Sequence, residues 1–156
     1  MVQIIKDCTG KYDGRIEEAK TVLKESYQKN PDELNAFYEV FIKEKQVGFE
    51  AVKAEYEALA KANENSWRIL FSIANVFSYN EYFKEAIQMW QKTFDCMPKP
   101  RYTDSFEAMA QCCVRMGDHE SAVEYYKKEL ELLREDWGLK YGAEVDALEE
   151  KIRALQ

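Results

Sequence analysis

The stretch Glu85-Ala-Ile-Gln-Met-Trp-Gln-Lys-Thr-Phe94 decides the fold. Ala86, Met89 and Trp90, then Thr93 and Phe94, recur at i, i+3 and i+4, the rhythm that lines one face of an α-helix. Ala122, Tyr125, Tyr126, Glu129, Leu130 and Leu133 draw nearly the same stripe further on. A second helical face precedes each stripe: Leu70, Ile73, Ala74 and Phe77 before the first, Phe106, Met109, Ala110 and Cys113 before the second. The unit of organisation is therefore a pair of helices, and no segment reads as a strand.

Outward from this stretch the pair repeats. Glu18-Ala19-Lys20, Glu50-Ala51-Val52, Glu85-Ala86-Ile87 and Ser121-Ala122-Val123 align on alanines spaced by 32, 35 and 36 residues. Such a period is that of one antiparallel helix pair with its turns, the building unit of a solenoid. Asn30-Pro31 and Met97-Pro98-Lys99-Pro100 stop two helices, because proline lacks the N–H that a continuing helix needs. Asn65-Ser66 and Gly117-Asp118 supply turn and N-cap chemistry at two other boundaries. The predicted helices run over about 14–29, 33–45, 49–62, 66–79, 82–96, 102–116, 119–135 and 142–154.

Composition agrees and excludes much. With 46% hydrophobic and 33% charged residues but only six Gly and three Pro in 156, the chain is neither collagen-like, low-complexity nor disordered, and one domain can bury a core without disulfides. Acidic residues outnumber basic ones 29 to 22, and the formal charge of −7 argues against a nucleic-acid surface and against anionic membranes. Cys8, Cys96, Cys112 and Cys113 form no CxxC pair and no secreted framework, so they are read as reduced thiols. The N-terminus lacks a signal-peptide run and no stretch approaches a spanning helix, which makes the cytosol the expected compartment.

These residues resemble the tetratricopeptide repeat (TPR) family over roughly 14–135. Leu70, Ile73-Ala74, Phe77, Phe83, Ala86, Trp90 and Pro98 follow the family's order of large, small and aromatic residues, and Phe106, Met109-Ala110, Gly117-Asp118, Ala122 and Tyr126 follow it again. Thr93 and Glu129 replace its second alanine, Arg134 its proline, and the repeat with Phe37, Val40 and Ala51 has a turn two residues short. The resemblance implies an all-α, right-handed superhelix of antiparallel helix pairs in a single domain, 1–156. Its parts would be a partial repeat at 1–31, with a short first helix in Met1 to Cys8, repeats at about 33–63, 66–98 and 102–135, and a capping helix at about 142–154. Val145, Leu148 and Ile152, with Leu155 beyond, supply the apolar edge of that cap. The end of the chain, from Leu132 to Gly138 and from Glu144 to Glu150, is also similar to the bacterial transcriptional activator domain, although Tyr141-Gly142-Ala143 stands where that module carries proline-serine.

No catalytic constellation assembles from the sequence. The single histidine, His119, begins a helix after Gly117-Asp118, and no nucleophile is fixed beside it. Cys113 falls on a core position; no thiolate or imidazole cluster has metal-ligand spacing, and the glycines are scattered at turns rather than gathered in a phosphate loop. Neither enzyme activity nor a cofactor or metal is expected. Trp90, Phe94, Tyr126, Phe77 and Phe106 are read as packing residues, and the charged runs Glu129-Leu-Glu131 and Arg134-Glu-Asp136 as solvated helix faces.

What remains is a surface. In the resembled family the first helix of each pair lines a concave groove that binds peptides. Positions on those helices outside the packing stripes are Arg68, Phe71 and Asn75, then Asp104, Glu107 and Gln111. Arg68, Phe71, Asn75, Glu107 and Gln111 are the candidate partner-binding residues of a non-enzymatic protein-interaction module, with a protein or peptide as ligand. The alternative is a regulatory or partner-sensing domain of a bacterial transcriptional regulator. The lysine-rich clamp that chaperone-binding members close on a C-terminal carboxylate is not expected, because Asp104 and Glu107 would repel that group.

Overall fold

The computed structural model describes residues 15–156, and within them the chain is all-helical. Eight helices follow in order: α1 Arg15–Lys29, α2 Leu34–Val47, α3 Phe49–Ala62, α4 Trp67–Tyr79, α5 Phe83–Cys96, α6 Asp104–Arg115, α7 His119–Asp136 and α8 Ala143–Leu155. All eight predicted segments are present, with ends shifted by at most two residues; the helix expected in Met1 to Cys8 lies outside the described residues. Two compact units divide the chain at Glu64 and Asn65.

In the first unit α1 sets Ala19 and Leu23 against Ile42 of α2, with Ile16 and Tyr38 at the margin. A single residue, Gly48, joins α2 to α3; its φ of 86° is one that side-chain-bearing residues rarely adopt, and its N–H donates to the Glu44 carbonyl at 2.7 Å. The short turn brings the Tyr56 ring between those of Phe37 and Phe49, with centroids 6.0 and 6.2 Å away. Buried on α3 are Phe49, Val52, Tyr56 and Ala60. Ala51, aligned with the anchor alanines by its sequence phrase, is instead exposed, and Val52 takes the buried place. One residue turns a helix by about 100°, so a one-residue slip is enough to move the assigned residue off the core.

In the second unit the anchors sit where the repeat places them: Ala74, Ala86, Ala110 and Ala122 are inaccessible, as are Ile73, Phe77 and Met109. Ser66 caps α4 by accepting the Ile69 N–H at 3.3 Å, and Asp118 caps α7 by accepting that of Ser121 at 3.0 Å. The turns after α4 and α6 share one geometry. Glu81 (φ 67°) stands in the first where Gly117 (φ 78°) stands in the second, and the N–H of the following residue reaches back to Phe77 or Cys113. Phe94 and Phe106 are half-buried rather than enclosed, stacked on each other at 4.1 Å. Val145, Leu148 and Ile152 of α8 close over Tyr126, Leu130 and Leu133 of α7 in one apolar cluster, with Leu155 packed against it.

Candidate functional site

The candidate residues lie on α4 and α6, which the fold makes neighbours. Ser78 Oγ and Cys112 Sγ, one from each helix, are 3.2 Å apart. Arg68, Phe71 and Asn75 occupy i, i+3 and i+7 of α4 and therefore share a face, as do Glu107 and Gln111, at i and i+4 of α6. Asn75 and Gln111 are exposed, while Arg68, Phe71 and Glu107 are half-buried. Phe71 and Glu107, like Asn75 and Gln111, stand 36 residues apart, the spacing that separates Ala74 from Ala110. Main-chain geometry thus repeats while the chemistry changes from aromatic to acidic.

On α6 both candidates are engaged by hydrogen bonds. Gln111 Nε2 donates to Glu107 Oε1 at 3.3 Å, and Lys151 Nζ, from α8, donates to the same oxygen at 2.6 Å. Glu107 raises the Lys151 pKa by accepting this bond, and the Lys151 ammonium also stands 5.4 Å from the centre of the Tyr126 ring. Lys151 has no place among the sequence-derived candidates, since 44 residues separate it from Glu107 and no local spacing rule spans that gap.

Beneath this pair lies a second residue that sequence reading misplaced. Glu129 of α7, which falls on the packing stripe but was expected with its charged run on a solvated face, is only 6% exposed, and its Oε2 has no hydrogen-bond partner. Burial, then the charges of Glu107 and Asp104, push its carboxyl up to about 7, with Lys151 acting the other way. The signal was present in the repeat: Glu129 follows the fully buried Thr93 by 36 residues, the spacing that separates Ala86 from Ala122. The run Arg134-Glu-Asp136 needs the same correction at its end. Asp136 accepts from the Arg101 backbone N–H at 3.0 Å and from its Nε at 2.8 Å, and Lys99 Nζ stands 3.3 Å away. These donors cover the carboxylate and hold its pKa below the usual range. A charged side chain can leave water when partners from another part of the chain replace the water it loses.

Burial raises the pKa of both Cys112 and Cys113, the latter to about 11, so these thiols stay protonated at neutral pH. His119 is exposed at the start of α7. Among the described residues no group of three or more His, Cys, Asp or Glu is placed to hold a metal ion, and no helix is long and apolar enough to cross a membrane. No family model and no curated protein matches the chain.

Proposed function

We propose that the chain is a non-enzymatic protein-interaction module of the TPR type, in which the pairs α4–α5 and α6–α7, capped by α8, stack in a right-handed superhelical sense and take a peptide or partner segment against the α4–α6 face. One observation carries this reading. Two adjacent first helices present residues at equivalent positions, Asn75 and Gln111 fully to solvent and Phe71 and Glu107 in part, while the anchors between them are sealed in the core. An aromatic ring beside two amides offers apolar area together with paired donors and acceptors, a combination suited to an extended backbone. Lys151 seated on Glu107 neutralises the acidic end, so a ligand residue placed there meets a mixed field rather than a bare carboxylate.

A photo-crosslinking amino acid at position 75, used in the native host, tests the proposal. A protein crosslinked from position 75, lost when Phe71 is changed to Ala and not crosslinked from exposed Glu124 on α7, is the expected result. Equal crosslinking from both positions would remove the α4–α6 face as the site.

A further inference from the structure

A second surface lies on the first unit, on helices that the α4–α6 reading does not use. The groove between α1 and α2 has a volume of about 710 Å³. One wall is a stripe of α1, Lys20, Leu23, Lys24, Tyr27 and Gln28; the other is a stripe of α2, Glu39, Ile42, Lys43 and Gln46. Both stripes follow the i, i+3, i+4, i+7 rhythm, and the longer extends about 12 Å at the helical rise. The groove therefore runs along two helix faces for about two turns and is a trough, not a hole.

Its chemistry is layered. Leu23 and Ile42 form the apolar floor, and Tyr27, more than half exposed, extends it outwards. Lys20 and Lys24 stand on one rim and Lys43 on the other, against the one carboxylate of Glu39. Among the lining side chains alone, three cations to one anion is the reverse of the balance in the whole chain, where acids outnumber bases. Lys20 is paired with Glu17 and Lys43 with Glu55, but both pairs are solvent-exposed, and exposed pairs of this kind exchange partners at little cost.

We propose that this groove docks an acidic amphipathic helix of a partner protein. The trough accepts a third helix as a ridge between two others, its apolar residues at i, i+3 or i+4, and i+7 reaching Leu23, Tyr27 and Ile42. Asp or Glu flanking that apolar stripe then faces Lys20 and Lys24 on one side and Lys43 on the other. A basic or neutral helix meets the same floor without the charge complement, so discrimination comes from the rims.

Two synthetic helices of about three turns test it against the isotope-labelled full chain: one with a leucine stripe flanked by glutamates, and a twin with lysine for every glutamate. The acidic peptide should give saturable NMR shifts confined to α1 and α2, weakening with salt, and the basic twin should give none there. K24E/K43E should weaken binding about ten-fold or more, and K24Q/K43Q, which adds no like charge, should weaken it less but in the same direction. Equal shifts from both peptides, or affinity untouched in both lysine variants, would overturn the proposal. So would contacts in the free protein from Val2, Ile4 or Ile5 to Leu23 and Ile42, which would make the chain's own N-terminal segment the occupant, or concentration-dependent shifts at Tyr27 without peptide, which would make it a second copy. None of these results bears on crosslinking from position 75.

Discussion

The pair α2–α3 of the first unit and the pairs α4–α5 and α6–α7 of the second answer one packing problem with different residues. On the second helices Val52, Tyr56 and Ala60 stand where Ala86, Trp90 and Phe94, and then Ala122, Tyr126 and Leu130, stand later. Counted through Val52 the anchors are 33, 34 and 36 residues apart, more even than the count through Ala51. On the first helices the contrast is chemical. Phe77 and Cys113 face their partner helices as apolar groups, whereas the corresponding place in α2 holds Glu44, buried, accepting from the Tyr56 hydroxyl at 2.8 Å and from Lys45 Nζ at 2.9 Å. In the second unit Asp136 is likewise covered by donors, whereas Glu129 is buried with one oxygen unpartnered. A repeat backbone thus tolerates a carboxylate in its core on either of two terms: donors supplied by neighbours, or a raised affinity for a proton.

Of the changes that bear on the two buried carboxylates and the register, the largest effect is expected from breaking the partnered term. Glu44→Ala leaves the Tyr56 hydroxyl buried without its acceptor and should cost about 2–3 kcal/mol in a urea denaturation curve. Glu44→Leu with Tyr56→Phe makes the first unit resemble the second and should recover most of that loss, because replacing both partners removes the unsatisfied group. A single substitution as mild as a surface change would mean that the bond does not hold the α2–α3 pair.

Next comes the register itself. Ala86→Leu pushes a larger side chain into a sealed helix contact and should cost about 1–3 kcal/mol, whereas Ala51→Leu, on an exposed face, should stay within about 0.5 kcal/mol of the wild type. Similar losses at both sites would restore Ala51 as an anchor and undo the comparison.

The unpartnered term gives a pH signature. With its pKa raised from 4.5 to about 7, Glu129 keeps in the folded chain a proton that the unfolded chain releases. Its contribution is therefore favourable below the ordinary carboxylate range and is lost as pH climbs from there through about 7. Glu129→Gln should leave stability at pH 5 nearly unchanged and raise it at pH 8 by about 1–3 kcal/mol, flattening the profile. The groups facing Glu129 are Asp104 and Glu107 of α6 and Lys151 of α8. An unaltered pH profile in the variant would show the carboxyl to be solvated and charged.

Helix existence and order were legible because apolar period, prolines and capping residues are local signals, and eight segments carry them. Ala51 misled because a matching dipeptide carries no angular information, and the turn at Gly48 is too short to preserve the alignment. Glu129 and Asp136 misled because charged residues are exposed in most settings, while the groups that decide these two cases, Lys151, Glu107 and Arg101, come from other helices or loops. Of the candidate face, exposure was legible at Asn75 and Gln111, which the packing stripe leaves over. The bridge from Lys151 to Glu107 was not, since it exists only once α8 has folded back over α7.

The smallest effect on stability separates a surface for binding from one that serves packing. Asn75 is exposed on α4, and Phe71 beside it on the same face is only half-buried. Asn75→Ala should change stability by no more than about 0.5 kcal/mol, and Phe71→Ala, which gives up part of a ring's burial, by about 1 kcal/mol. Ile73→Ala, two positions from either in the sealed stripe, should cost about 2–5 kcal/mol by the same measurement. A loss at Phe71 as large as that at Ile73 would assign its ring to the core and leave the α4–α6 face without its aromatic anchor. Near-neutrality keeps the ring available, because an aromatic side chain that the fold does not need for stability is free to give its buried area to a partner.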